Sequence, residues 1–254
     1  MGTCCARPQV PDTASTEEKV LSYYQNTLKY HMCTPEAILE AVNKNCNGNL
    51  VTPDQLNAIG QALSLNLADV DIIDSKIFRF YRPFIAKGSN FDARKLKLLG
   101  ILLSKGNVKA KIALYFDLIP GVEENQASDH GLRTLLEDLT TIVAVNIPLL
   151  AIEETPAAGQ SFSREQYEDY RDKLLSGKDA VVAKFSTAIM GRNRTIARDK
   201  FGLLGDEQAA VAKCLTSAFS LRSEMATEAN NATKGGQFKA GFQGFSTTLA
   251  GTKK

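Results

Sequence analysis

Apolar residues recur in this chain at intervals of three and four, in short bursts, while strand-like alternation is almost absent. That periodicity restricts the fold to short packed helices, because each apolar stripe has to be buried against another. Start signals fall where the stripes begin. Ser15 with Glu18, Thr52 with Gln55 and Ser163 with Gln166 each have the spacing of a capping box. Thr34-Pro35 places proline at a favoured first helical position. The stripes are Ile38, Leu39 and Val42; Leu56, Ile59 and Leu63; Val70, Ile73, Ile77 and Phe80; Leu96, Leu99 and Leu103. Further on come Val108, Ile112 and Phe116; Leu132, Leu135, Leu136 and Leu139; and Val182, Phe185 and Ile189. A last helix, capped by Asp206, carries Val211, Leu215 and Phe219. Phe162 and Tyr167 bracket the Ser163 cap as a hydrophobic staple.

Between the first and second of these stripes lies a twelve-residue run, Asn43 to Asp54, with asparagine at 43, 45, 47 and 49 and glycine at 48. Oxygen-bearing side chains at alternate positions around a glycine turn suit a hard cation. This segment resembles an EF-hand loop. In that family the first, third, fifth and twelfth loop positions supply side-chain oxygens, the sixth is glycine and the eighth is apolar. Here those places hold Asn43, Asn45, Asn47, Asp54, Gly48 and Leu50, with Asn49 at the seventh. The run KAKIALYFD from Lys109 to Asp117 is similar to the incoming helix of the third hand in calcineurin-B-like and neuronal-calcium-sensor proteins.

The resemblance implies an all-α fold of paired helix-loop-helix units joined by short loop-loop β-bridges. Leu50 would bridge to an apolar residue of a neighbouring loop, with Phe91, Ala127, Phe162 and Ile196 as equivalents. It implies an N-terminal lobe over 15–106 and a degenerate C-terminal lobe over 107–229. The departures weaken calcium. Asn43 is neutral where the family has Asp, and Asp54 is a methylene shorter than the usual bidentate Glu. One formal charge on the expected side-chain ligands makes the loop a weak or vestigial calcium site, since affinity follows ligand charge. Setting Phe91 at the eighth position puts Lys95 at the twelfth, and setting Ile196 there puts Lys200.

The chain ends read differently. Gly2, Cys4 and Cys5 suggest myristoylation and palmitoylation of a flexible N-terminus over 1–14, although Ala6 lacks the hydroxyl preferred there. From 230 to 254 a Gly-rich tail carries Phe238, Phe242 and Phe245, which we expect to contact a partner or fold back onto an apolar groove. Five cysteines without paired spacing give neither a disulfide framework nor a zinc pattern and suit a reducing cytoplasm. Formal net charge is +2 with both signs interspersed, which argues against nucleic acid. His31 and His130 lack metal-ligand spacing, and no phosphate loop, nucleophile elbow or kinase signature occurs.

We therefore expect a non-catalytic protein-binding adaptor or regulatory subunit that requires no cofactor. It would be cytoplasmic and, if acylated, peripherally attached to a membrane. The alternatives are a structural component of a cytoskeletal or axonemal assembly and a calcium sensor regulating an enzyme.

Overall fold

The computed structural model describes residues 11–67, 69–155 and 159–245, with side chains from 234 onward excepted. It is mostly helical. The first part comprises α1 (Thr16–Thr27), α2 (Pro35–Asn45), β1 (Leu50–Val51), α3 (Pro53–Leu63), α4 (Lys76–Tyr81), β2 (Ile85–Lys87), β3 (Asn90–Asp92) and α5 (Ala93–Leu103). Then come α6 (Val108–Phe116), β4 (Gln126–Ser128), α7 (Asp129–Thr141), a π-helical turn Ile142–Asn146, and α8 (Ile147–Leu149). The chain continues through α9 (Arg164–Met190), β5 (Thr195–Ala197), α10 (Arg198–Gly202), α11 (Leu204–Glu207), α12 (Ala209–Thr216) and α13 (Ala218–Phe245). None of the helices among the described residues is long and apolar enough to cross a membrane.

Short strands tie the helical units together. β1 pairs antiparallel with β3, which also pairs with β2, and β4 pairs antiparallel with β5. Most of the core is continuous, with a smaller cluster of Val20, Leu21, Ala151, Phe162 and Tyr167 beside it. One cluster runs from Leu28 to Met225, so the halves drawn at 106 share a single interior. α5 lies at its centre, with Leu98 through Leu103 all buried. A helix that is apolar all round has to be enclosed on every side, and α2, α6, α7 and α12 surround it. Gly100 lets α2 approach, since a Cβ there would overlap the Ile38 side chain.

Three elements differ from the sequence reading. The stripe from Val70 to Phe80 is helical only from Lys76; Asp69 and Asp74 take positive φ, which breaks the first half, and Ile73 is exposed. The stripe Val211–Phe219 is split at Ser217, whose extended backbone separates α12 from α13, and Asp206 lies inside α11 rather than capping α12. Helix α13 extends past 230 to Phe245, where glycine content suggests a flexible tail; Ala232, Lys234, Gln237, Lys239 and Ala240 supply helix formers between the glycines.

Lys111 joins the two halves from inside. Its buried Nζ donates to Leu102 O at 3.0 Å and Thr216 O at 3.3 Å, which lie in the last turns of α5 and α12. Those carbonyls have no partner within their own helices, and a cation complements the negative end of each dipole. Burial pulls the Lys111 ammonium down to about 8. Between that value and the unfolded pKa of ~10.4 the unfolded chain binds the extra proton, so this group raises stability as pH rises. Wild type is expected to gain about 1–3 kcal/mol over Lys111→Met between pH 8 and 10.5. The thiols of Cys33 and Cys214 and the phenols of Tyr30 and Tyr81 are pushed up by burial and act in the opposite direction, equally in both proteins. Urea unfolding of the pair across that range reads the difference; a flat difference refutes the assignment.

Candidate functional site

The asparagine-rich loop is organised by its own backbone. Helix α2 continues to Asn45, and Cys46 N donates to Val42 O at 2.8 Å. Asn47 N donates to Leu50 O at 2.9 Å and Leu50 N to Asn47 O at 3.3 Å, closing a tight turn in which Gly48 has φ of +63°. Asn43 and Asn45 therefore sit two apart on a helix, a separation at which side chains do not face each other. Asn45 Nδ2 donates back to Ala41 O at 2.8 Å. Asn47 and Asn49 occupy the turn, and Asn49 O accepts from Ala93 N at 2.9 Å. Asp54 is the second residue of α3.

The bridge register is offset by one from the sequence reading. Leu50 faces Asp92, and it is Val51, fully buried, that faces Phe91. Leu50 and Val51 are both apolar, so alternation alone could not choose between them. The offset moves the position four beyond the bridging residue from Asp54 to Gln55. Gln55 is already engaged, accepting from Thr52 N at 2.9 Å in a complete capping box.

The other bridged loops carry equally unsuitable residues at that place. Four beyond Phe91 is Lys95, whose backbone N–H donates to the Asp92 cap at 3.0 Å. In the second pair Ala127 faces Ile196. Four beyond Ala127 is Gly131, where even a Cβ would overlap the Pro120 carbonyl oxygen. Four beyond Ile196 is Lys200. The acidic residue that opens the α6–α7 loop, Asp117, is taken by Arg198, which also donates through Nε to Asn125 Oδ1 at 3.2 Å and lies 4.7 Å over the Phe116 ring. A guanidinium from the neighbouring unit thus neutralises the carboxylate that opens the loop. The fourth suggested equivalent, Phe162, forms an isolated parallel bridge with Ile152.

A second polar centre was not visible in the sequence. Arg222 of α13 is 1% exposed and grips the Glu18 carboxylate of α1, with Nε at 3.0 and 3.1 Å and Nη2 at 2.7 Å. Tyr170 of α9 donates its hydroxyl to the same carboxylate. Burial and the Glu18 charge push the Tyr170 phenol far above its ordinary range, so it stays protonated. Glu18 reads locally as the acid of a capping box. Ser15 does accept from Glu18 N at 3.4 Å, but the Glu18 side chain has left the cap for Arg222. The triad borders a cleft of about 660 Å³ between α1, α9 and α13.

Gly2, Cys4 and Cys5 lie outside the described residues. Phe238, Phe242 and Phe245 fall within α13 by backbone, and their side chains lie outside the described ones. Among the described residues no three His, Cys, Asp or Glu side chains are grouped as a metal site. In comparisons with known proteins, no family model, curated protein or solved structure matches the chain.

Proposed function

We propose that this chain is a non-catalytic adaptor or regulatory subunit built from degenerate EF-hand-like units, and that it holds its protein partner without calcium. The observation that carries the reading is the set of residues four beyond each bridging position: Gln55, Lys95, Gly131 and Lys200. An EF-hand needs a bidentate carboxylate there. One of these is a capping amide, two are cations, and one has no room for a side chain. In place of an ion, the Arg198–Asp117 pair links adjacent loops. A ligand that finds no binding site in either conformation cannot shift the balance between them. The partner surface is therefore permanent in this reading, and Phe238, Phe242 and Phe245 are the residues we assign to direct contact.

Two measurements test it. Calcium at ~1 mM is expected to move the thermal midpoint by less than about 1 °C, because stabilisation by a ligand scales with its concentration over Kd. A micromolar site by titration calorimetry, lost in Asp54→Ala, would restore the calcium sensor. Affinity purification from native cells is expected to recover the same partner with calcium and with chelator, and to recover it poorly with a chain ending at Asn230. Recovery only with calcium overturns the proposal.

A further inference from the structure

At the far end of α9 from the Glu18–Arg222 triad, the turn Gly191–Arg194 and the start of α7 enclose a depression of about 320 Å³. Its rim carries Arg133 of α7 with Arg192 and Arg194 of the turn, and Asp129 lies among them. Asp129 is already satisfied, accepting from Ser186 and, at 2.8 Å, from Arg133 Nε. The Ser186 hydrogen bond and then Arg133 hold its carboxyl below the ordinary range, so it stays charged. Arg133 spends only its Nε on this contact, which leaves its terminal nitrogens to donate elsewhere.

Arg192 and Arg194 differ from most arginines in this chain. Arg94, Arg133, Arg164, Arg171, Arg198 and Arg222 each meet a carboxylate. Among the described residues, neither Arg192 nor Arg194 has a carboxylate within the 4.0 Å of an ion pair. Both are exposed. Three guanidiniums against one carboxylate leave two positive charges uncompensated around one concavity. A single carboxylate would leave half of that excess, whereas a phosphate monoester near neutral pH carries about −1.5 to −2 and offers three acceptor oxygens. Guanidinium forks match those oxygens in geometry as well as charge.

A second depression of about 430 Å³ adjoins the first and shares Met190, Gly191 and Asn193 with it. It runs past Ala188, Ile196 and Gln208. A lipid headgroup would use only the basic concavity, while an extended chain would lie across both. We propose that Arg133, Arg192 and Arg194 form a docking site for a phosphoserine- or phosphothreonine-bearing peptide whose flanking residues follow the adjoining depression. This inference rests on the reading of the chain as a protein-binding adaptor and supplies the chemistry of one partner element. It matches a general mode in which arginine clusters read phosphorylated segments.

The test uses the full chain and a degenerate eleven-residue peptide pool with phosphoserine at its centre. The same pool unphosphorylated, inorganic phosphate, and phosphatidylcholine vesicles with and without phosphatidylinositol bisphosphate complete the set. The phosphorylated pool is expected to bind at least ten-fold more tightly than the unphosphorylated one, and more tightly than free phosphate. Arg192→Gln with Arg194→Gln is expected to remove that preference while leaving the thermal midpoint unchanged. Lys105→Gln, a surface change of the same sign, is expected to keep it. Equal binding of the two pools, a preference that survives the double substitution, or binding to the bisphosphate vesicles alone overturns the inference. Failure of the phosphorylated pool alongside calcium-independent partner capture removes this site and leaves the adaptor reading standing. Peptide binding with calcium-dependent capture does the reverse.

Discussion

Glu18→Ala is expected to destabilise the protein by about 3–5 kcal/mol, the cost of leaving a buried guanidinium without its counter-charge. Arg222 is almost completely enclosed, and Glu18 accepts three of its hydrogen bonds. Removing the carboxylate strands that charge and also takes the acceptor from the Tyr170 hydroxyl. Glu18→Gln, which keeps one acceptor, should cost less. The paired change Glu18→Leu with Arg222→Met should recover most of the loss, because an apolar pair of similar volume carries no desolvation penalty. Urea unfolding followed by helical circular dichroism measures all of these. A loss under about 1 kcal/mol for Glu18→Ala would mean that the guanidinium reaches water and the centre is not closed.

Gly177→Ala should be the other severe substitution, although it adds only a methyl group. Gly177 is a point of close approach between α9 and α13. A Cβ there would overlap the Met225 carbonyl oxygen and lie 2.8 Å from Ala229 N. Both obstacles are backbone, so no side chain can rotate away, and α13 has to move as a unit. In an exposed helix the same change would stabilise by about 1 kcal/mol through propensity. Here we expect a net loss of about 3 kcal/mol, at the upper end for overpacking. Lys184, which bridges Glu224 and Glu228 on α13 at 2.5 and 2.7 Å, should lose those contacts as the helices part. Thermal melts of Gly177→Ala beside Gly202→Ala separate the two effects, since a Cβ at Gly202 meets nothing within 4 Å. Equal midpoints for the two variants would show that the helices can separate without cost.

The all-helical class and several helix starts were legible because their signals are local. The Thr52–Gln55 and Ser163–Gln166 boxes need only residues three apart, and both are formed. Phe162, one place before the Ser163 cap, and Tyr167, four places after it, share one apolar cluster. Ala127 and Ile196, each suggested separately as a loop-bridging residue, lie opposite one another. What failed needed information that the local pattern lacks. A one-residue slip in a strand exchanges its two faces, and Leu50-Val51 offers an apolar residue in either register. Ile73 fits a helical stripe, but the backbone at Asp69 and Asp74 turns the segment away from the core. Glu18 has the spacing of a cap and the surroundings of a core ion pair, and only the position of α13 distinguishes them. Arg192 and Arg194 attract attention only once the fold places them with Arg133 around one concavity.

The Glu18–Arg222 contact joins positions 204 residues apart in sequence. During synthesis the acid is made 204 residues before its partner, and over that interval α1 has a carboxylate with no guanidinium to receive it. Contacts of such long separation bear a large loop-closure cost and form late. The first helix should thus dock in the final stage of folding, after the interior around α5 has assembled. A chain cut short before α13 would keep α1 loose and open to proteases, and the arrival of Arg222 would make that helix resistant.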